Sequence, residues 1–192
     1  MTLNSNEKQN IKYKTFKALL WVGIGSIVML FAALTSAYIV RQAEGRWLHF
    51  ELPQVFWFST AIILASSITL NWAVYAVKKD KLKIAKSMLF LTLALGLAFV
   101  FSQFAAWKTL VAENVFFTGK GSNASGSYLY VLSGLHLAHL FGGIIALIIT
   151  FVNTVREKYN SKNLLGIQLC GIYWHFLDIL WIYLFFFLLF IR

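Results

Sequence analysis

The chain has 192 residues, of which 59% are hydrophobic and only 12% charged. Soluble domains are nearer half apolar and a quarter charged, so a soluble globular domain of ordinary make-up is excluded. The formal net charge of +10 raises the question of nucleic acid. The lysines, however, fall in short segments between apolar spans, which is the pattern of a membrane protein oriented by its basic loops.

Taken in chain order, the sequence opens with a polar tail over residues 1–17, expected to be flexible and cytoplasmic. A first apolar span covers 18–40 and stops at Arg41. It exceeds the usual core of a secretory signal and is expected to be retained as a helix. Further spans cover 52–77, 87–107, 129–155 and 164–191. Each is long enough to cross a bilayer. The expected fold is therefore all-α: an integral membrane bundle of five transmembrane helices over 18–192. The single proline, Pro53, falls at the start of the second span, where it is tolerated.

Orientation follows from the basic residues. Twelve lie on one side: Lys8, Lys12, Lys14 and Lys17 in the tail, Lys78, Lys79, Lys81, Lys83 and Lys86 between spans two and three, and Arg156, Lys158 and Lys162 between spans four and five. Five lie on the other: Arg41, Arg46, Lys108, Lys120 and Arg192. The expected N-terminus is cytoplasmic and the C-terminus outside. Trp21, Trp57, Tyr75, Trp107, Tyr128 and Tyr130 fall near span ends, where an aromatic belt is expected. The lysine-rich 78–86 loop is expected against anionic headgroups. The Gly/Ser/Asn-rich run 118–127 reads as a flexible outer connector.

Of seven acidic residues, Asp178 alone falls inside a span. An intramembrane carboxylate is paired or functional by default. Helical rise places Asp178 ~21 Å, His139 ~24 Å, His136 ~28 Å, Gln103 ~24 Å and His175 ~16 Å above the cytoplasmic ends of their helices. Asp178, His139 and Gln103 are thus expected in one layer, with Asp178 paired to a histidine of the fourth helix. His136 and His139, three apart, share a face, as do His175 and Asp178. Three readings are open: a structural polar network between helices, a bis-histidine haem site using His175 and one histidine of helix four, or a proton path. Relays usually chain several carboxylates and histidines, and here there is one acid. Ser133-Gly134 ahead of His136 is a weak match to an intramembrane serine protease, since Val131 stands where glycine is wanted. The small residues Gly134, Ala138, Gly142 and Gly143 are expected to let a neighbouring helix approach. The single cysteine, Cys170, excludes an internal disulfide and a Cys-x-x-Cys-His haem attachment. No helix interior carries proline, so the broken-helix pattern of transporters is not expected.

Two segments carry a resemblance. Tyr173-Trp174-His175-Phe176-Leu177-Asp178-Ile179-Leu180-Trp181 is similar to the last-helix signature of subunit III of haem–copper oxidases. Ser133-Gly134-Leu135-His136-Leu137-Ala138-His139, continuing to Gly142-Gly143, resembles a second motif of that family. Gln103, the second span and the first span, with its Phe31-Ala32-Ala33-Leu34-Thr35-Ser36-Ala37-Tyr38 run, add weaker similarity, so the resemblance covers roughly 18–192. It implies the short five-helix bacterial type: an accessory subunit of an aerobic terminal oxidase, most simply a cytochrome c oxidase, with a quinol oxidase as the alternative. The alternatives outside the family are a stand-alone transporter and a haem-binding anchor. The family further implies that the complex reduces oxygen and pumps protons. It implies that this subunit holds no catalytic or metal-binding residue and supports assembly, stability and proton uptake. Haem and copper belong to partner subunits, and phospholipid is bound. The implied partners are oxidase subunits I and II and a small subunit IV, with no nucleic acid, in the bacterial inner membrane. Four histidines and one cysteine are too few for the haem- and copper-bearing subunits.

The chain also departs from the family pattern. Many members carry glutamate after a serine early in the first of these helices, whereas Ile27 follows Ser26 here. Ile172 replaces a tryptophan, and Ala105-Ala106-Trp107 stand where some members have an acid after Gln103. The structural network of His136, His139, His175, Asp178 and Gln103, with the signature residues Tyr173, Trp174, Trp181 and Gly134, is what remains.

Overall fold

The computed structural model describes residues 5–45, 47–48, 52–119, 121–160 and 163–191, with the side chains of 5–10 and 12 excepted. The described residues form five helices: α1 (Ser5–Ala43), α2 (Val55–Lys78), α3 (Leu82–Ala112), α4 (Ala124–Val155) and α5 (Leu165–Phe190). All five are long and apolar enough to cross a membrane, so the chain is a multi-pass membrane protein. None is broken by a kink-forming proline. Arg46, Lys120, Lys162 and Arg192, counted above for orientation, lie outside the described residues.

The helices outrun their apolar spans. Residues 5–17, read as a tail, continue α1 as helix. Much of the 118–127 connector belongs to α4: Asn123 is its N-cap, with the side-chain oxygen accepting from the Ser125 backbone N–H at 3.1 Å. Gly126 in that first turn is required by packing, because a Cβ there would meet Val115 Cγ1 at 2.8 Å.

Three helix ends share one stop. After α2, Lys81 N–H donates to Ala76 O and Asp80 N–H to Val77 O. After α3, Val115 and Asn114 repeat the pair to Leu110 and Val111, and after α4, Lys158 and Glu157 repeat it to Asn153 and Thr154. This is the Schellman closure, which caps orphan carbonyls with one residue in the left-handed region. That residue is Asp80 (φ 54°), Asn114 (φ 62°) or Glu157 (φ 56°), none of them glycine. The α2 stop leaves a three-residue turn, 79–81, so α2 and α3 form a tight hairpin.

The bundle core runs through Trp174, Trp181, Phe56, Ile63, Leu70, Phe99, Leu129, Leu132 and Leu140, all essentially inaccessible. At one end, Tyr13 OH donates to Gln168 Oε1 at 3.4 Å and Lys86 Nζ pairs with Glu157 at 3.1 Å. These contacts bring the α1 start, the α2–α3 turn and the α4–α5 connection together. The basic residues of those segments therefore share one end of the molecule.

The aromatic belt needs correction. Trp21, Trp57 and Tyr75 are exposed, each above half. Trp107, Tyr128 and Tyr130 instead pack inward. Tyr130 OH donates to Val115 O at 3.0 Å, and the Tyr128 ring meets Tyr38 edge-on and lies tilted beside Trp47. Because α4 starts five residues earlier than its apolar span, these tyrosines lie inside the helix rather than at its end.

Candidate functional site

The polar side chains inside the bundle fall into two sets. The first set clamps helices together through aromatic donors. Trp174 Nε1–H donates to Ser66 Oγ at 3.0 Å, and Trp181 Nε1–H to Thr60 Oγ1 at 3.1 Å. Both join α5 to α2. Trp107 Nε1–H reaches Ser133 Oγ at 3.1 Å, joining α3 to α4, and Tyr173 OH donates to His139 O at 3.1 Å, joining α5 to α4. Hydroxyl pairs Ser59–Ser102 and Thr69–Thr92, each 2.8 Å, fasten α2 to α3. A buried indole needs an acceptor, and without water the acceptor must come from a neighbouring helix. Each interhelical bond of this kind contributes about 0.6 kcal/mol on average and up to about 1.7.

Glycines make room for the tryptophans. At Gly96 of α3 a Cβ would meet Trp174 Cη2 at 2.8 Å, and at Gly143 of α4 it would meet Leu177 Cδ1 at 2.9 Å and Trp174 Cε3 at 3.4 Å. Of the small α4 residues expected to allow close approach, Gly143 is the one where α5 leaves no room for a Cβ. A Cβ at Gly142 would stand 3.7 Å from Tyr173 Oη of α5, an ordinary contact distance, while Gly134 faces open space and Ala138 is exposed.

The second set holds the titratable groups. His175 Nδ1 is 2.7 Å from Ser67 Oγ and His175 Nε2 is 3.0 Å from Asn71 Oδ1, both on α2. Asp178 Oδ2 is 3.8 Å from His175 Nδ1, one turn along the same helix. Neither carboxylate oxygen of Asp178 makes a hydrogen bond, so the expected pairing with a helix-four histidine is not formed. Asp178 belongs to the α5–α2 seam. Helical rise fixed its depth but not the side of the helix it occupies.

The helix-four histidines go elsewhere. His139 turns back on its own helix, with Nδ1 2.7 Å from Leu135 O, and its ring lies 5.8 Å from Phe31 of α1. His136 is fully buried between Trp181 (centroids 5.2 Å) and Phe99 (6.0 Å), with both ring nitrogens unbonded. Gln103, one turn after Phe99 on α3, is likewise fully buried with both amide atoms unbonded. The five network residues thus divide: His175 and Asp178 on the α2–α5 seam, His139 toward α1, and His136 and Gln103 buried on α4 and α3.

This arrangement bears on the alternatives. An axial haem pair needs two opposed imidazoles with free nitrogens, but both nitrogens of His175 are engaged by α2. The residues present do not fit a bis-histidine haem. Ser133 Oγ donates to Leu129 O at 2.7 Å while accepting from Trp107, which is a packing role rather than that of a nucleophile. Among the described residues, no three His, Cys, Asp or Glu side chains converge as metal ligands would.

The α2 residues Thr60, Ser66, Ser67 and Asn71 were not singled out from sequence. Isolated hydroxyls in an apolar helix carry no ionisable signal. Their spacing was the available clue: 60, 67 and 71 lie along one face, which here turns toward α5.

The family model for cytochrome c oxidase subunit III matches residues 47–191, from just after α1 to the end of α5. A probable cytochrome c oxidase subunit 3 of Nocardia farcinica is 33% identical over 181 residues, covering 89% of this chain and 85% of the relative. A Mycobacterium tuberculosis protein with the same description is 31% identical with the same coverage. A probable quinol oxidase subunit 3 of Staphylococcus saprophyticus is 30% identical, covering 86% of this chain and 83% of the relative. With Tyr173, Trp174 and Trp181 occupying its helix interfaces and this similarity running through α2 to α5, the chain belongs to the cytochrome c oxidase subunit III family and is a subunit of a membrane-bound terminal oxidase.

Proposed function

We propose that this chain is the accessory subunit of a bacterial oxidase fed by cytochrome c. In this reading it holds no redox centre of its own and stabilises the assembled complex and its proton uptake. The carrying observation is where the signature residues go. Tyr173, Trp174 and Trp181 each bond across a helix interface, to His139, Ser66 and Thr60. Residues so engaged build a rigid scaffold. Haem and copper then lie in the neighbouring subunits I and II, with a small subunit IV as a further neighbour and phospholipid around the bundle.

The membrane is the bacterial inner membrane. The end that gathers Lys14, Lys17, Lys78, Lys79, Lys81, Lys83, Lys86, Arg156 and Lys158 faces the cytoplasm, and the α5 C-terminus faces outward. Cytochrome c as donor follows the names of the Nocardia and Mycobacterium relatives. A quinol-fed complex is the second reading, favoured by the staphylococcal relative of nearly equal similarity.

Purification of the tagged chain in mild detergent, with a reduced-minus-oxidised spectrum of the eluate, tests this reading. Haem bands with a large haem-bearing subunit are expected, together with oxygen uptake driven by reduced cytochrome c. Uptake driven by quinol alone would shift the reading to the second complex. A colourless chain eluting alone would defeat both.

A further inference from the structure

The outward face of α2 is apolar for most of its length, through Trp57, Leu64, Ile68, Trp72 and Tyr75. One break interrupts it. Asn71 is exposed, and the His175 side chain beside it retains 28% of its surface. Both lie within membrane-spanning helices, Asn71 about 10 Å from the Lys78 end of α2 and His175 about 15 Å from the start of α5. Asn71 Oδ1 accepts from His175 Nε2–H, so the two N–H groups of this exposed amide are not used on His175. No other described residue accepts from that nitrogen. Lipid chains offer no acceptor, and an amide facing them keeps the full cost of desolvation. The outward faces of α3 and α4 show no comparable break around Phe90, Phe101, Ile145 and Ile149.

Resting on the reading of this chain as an oxidase subunit, we infer that the α2–α5 face around Asn71 and His175 is where a transmembrane helix of another oxidase subunit docks. That helix presents a hydrogen-bond acceptor, such as a hydroxyl, amide oxygen or carboxylate, at the depth of Asn71. Ile68, Trp72 and Ile179, each more than half exposed, frame the polar contact with apolar surface. His175, bonded through its other ring nitrogen to Ser67 Oγ, holds the Asn71 side chain in place.

The test uses the full chain in its own membranes. A photo-reactive benzoyl-phenylalanine is placed at Ile68 or Trp72 on this face, and at Met29 (α1) or Ile145 (α4) on other exposed faces. Positions 68 and 72 are expected to cross-link another oxidase subunit. Asn71→Leu is expected to lower retention of the haem-bearing subunit about three- to tenfold, measured per amount of this chain. Subunit adducts at 29 or 145 with only lipid adducts at 68 and 72 would overturn the docking face and leave the oxidase reading standing. An adduct at 68 or 72 to a second copy of this chain would also overturn it. Protein adducts at none of the four positions would contradict both.

Discussion

Helix α1 and helix α5 are both apolar spans, but they are held differently. Half of the most apolar stretch of α5 is buried, against 17% of that of α1. Two indole clamps and a tyrosine bond tie α5 to α2 and α4. Between α1 and α5 there is no indole clamp: Tyr183 OH reaches Thr35 Oγ1 at 3.1 Å and Tyr13 OH reaches Gln168 Oε1 at a longer 3.4 Å, aided by Tyr38 packing on Phe187. The family model begins just beyond α1. Hydropathy alone makes a span, whereas a place in the bundle requires small residues and hydroxyls aligned with aromatic donors.

This contrast can be broken by substitution. The largest expected effect is at Trp174, fully buried and gripping three other helices through Ser66, Gly96 and Gly143. Trp174→Ala should cost about 3–5 kcal/mol, read as loss of accumulated protein or a large fall in detergent unfolding temperature. Gly96→Val comes next, since its Cβ would strike a rigid indole rather than a flexible side-chain end. About 1–3 kcal/mol is expected in the same assay.

Smaller still are the clamp acceptors. Thr60→Val and Ser66→Ala should each cost about 0.6–1.7 kcal/mol, and the double variant should sum the two because the sites are separate. Tyr183→Phe should cost no more than one of these, and should leave the α2–α5 contacts intact. If it proved as damaging as Trp174→Ala, the contrast between α1 and α5 would fail. At the bottom are Gly23→Leu and Gly25→Leu on α1, where an added Cβ meets nothing. Both should fall within about 0.5 kcal/mol of the parent.

The number and type of helices were legible in the sequence, because uncharged apolar stretches of membrane length have few other fates. The helix ends were not. Leu82 to Lys86 are helical although lysine-rich, and residues 5–17 and 124–128 are helical although polar. Hydropathy marks where a helix leaves hydrocarbon, while capping geometry marks where it stops.

Within the site, Tyr173, Trp174 and Trp181 were legible as a signature, but their acceptors on α2 and α4 were not. Asp178 was correctly singled out as the one acid inside a span. Its neighbour was misassigned because depth along a helix says nothing of azimuth. The spacing Gly134 shares with Ala138 and Gly142 suggests a packing glycine, yet a Cβ at Gly134 would meet nothing. A glycine's role depends on the neighbour's side chain, which one sequence segment does not contain.

The central claim is that this chain scaffolds an oxidase without carrying its redox chemistry. The most direct test is to purify the complex with and without this chain and compare the reduced-minus-oxidised spectra at equal amounts of the haem-bearing subunit. The account predicts superimposable haem bands, with the complex lacking this chain losing oxygen-reducing activity faster during turnover. A haem band that disappears together with this chain would contradict it.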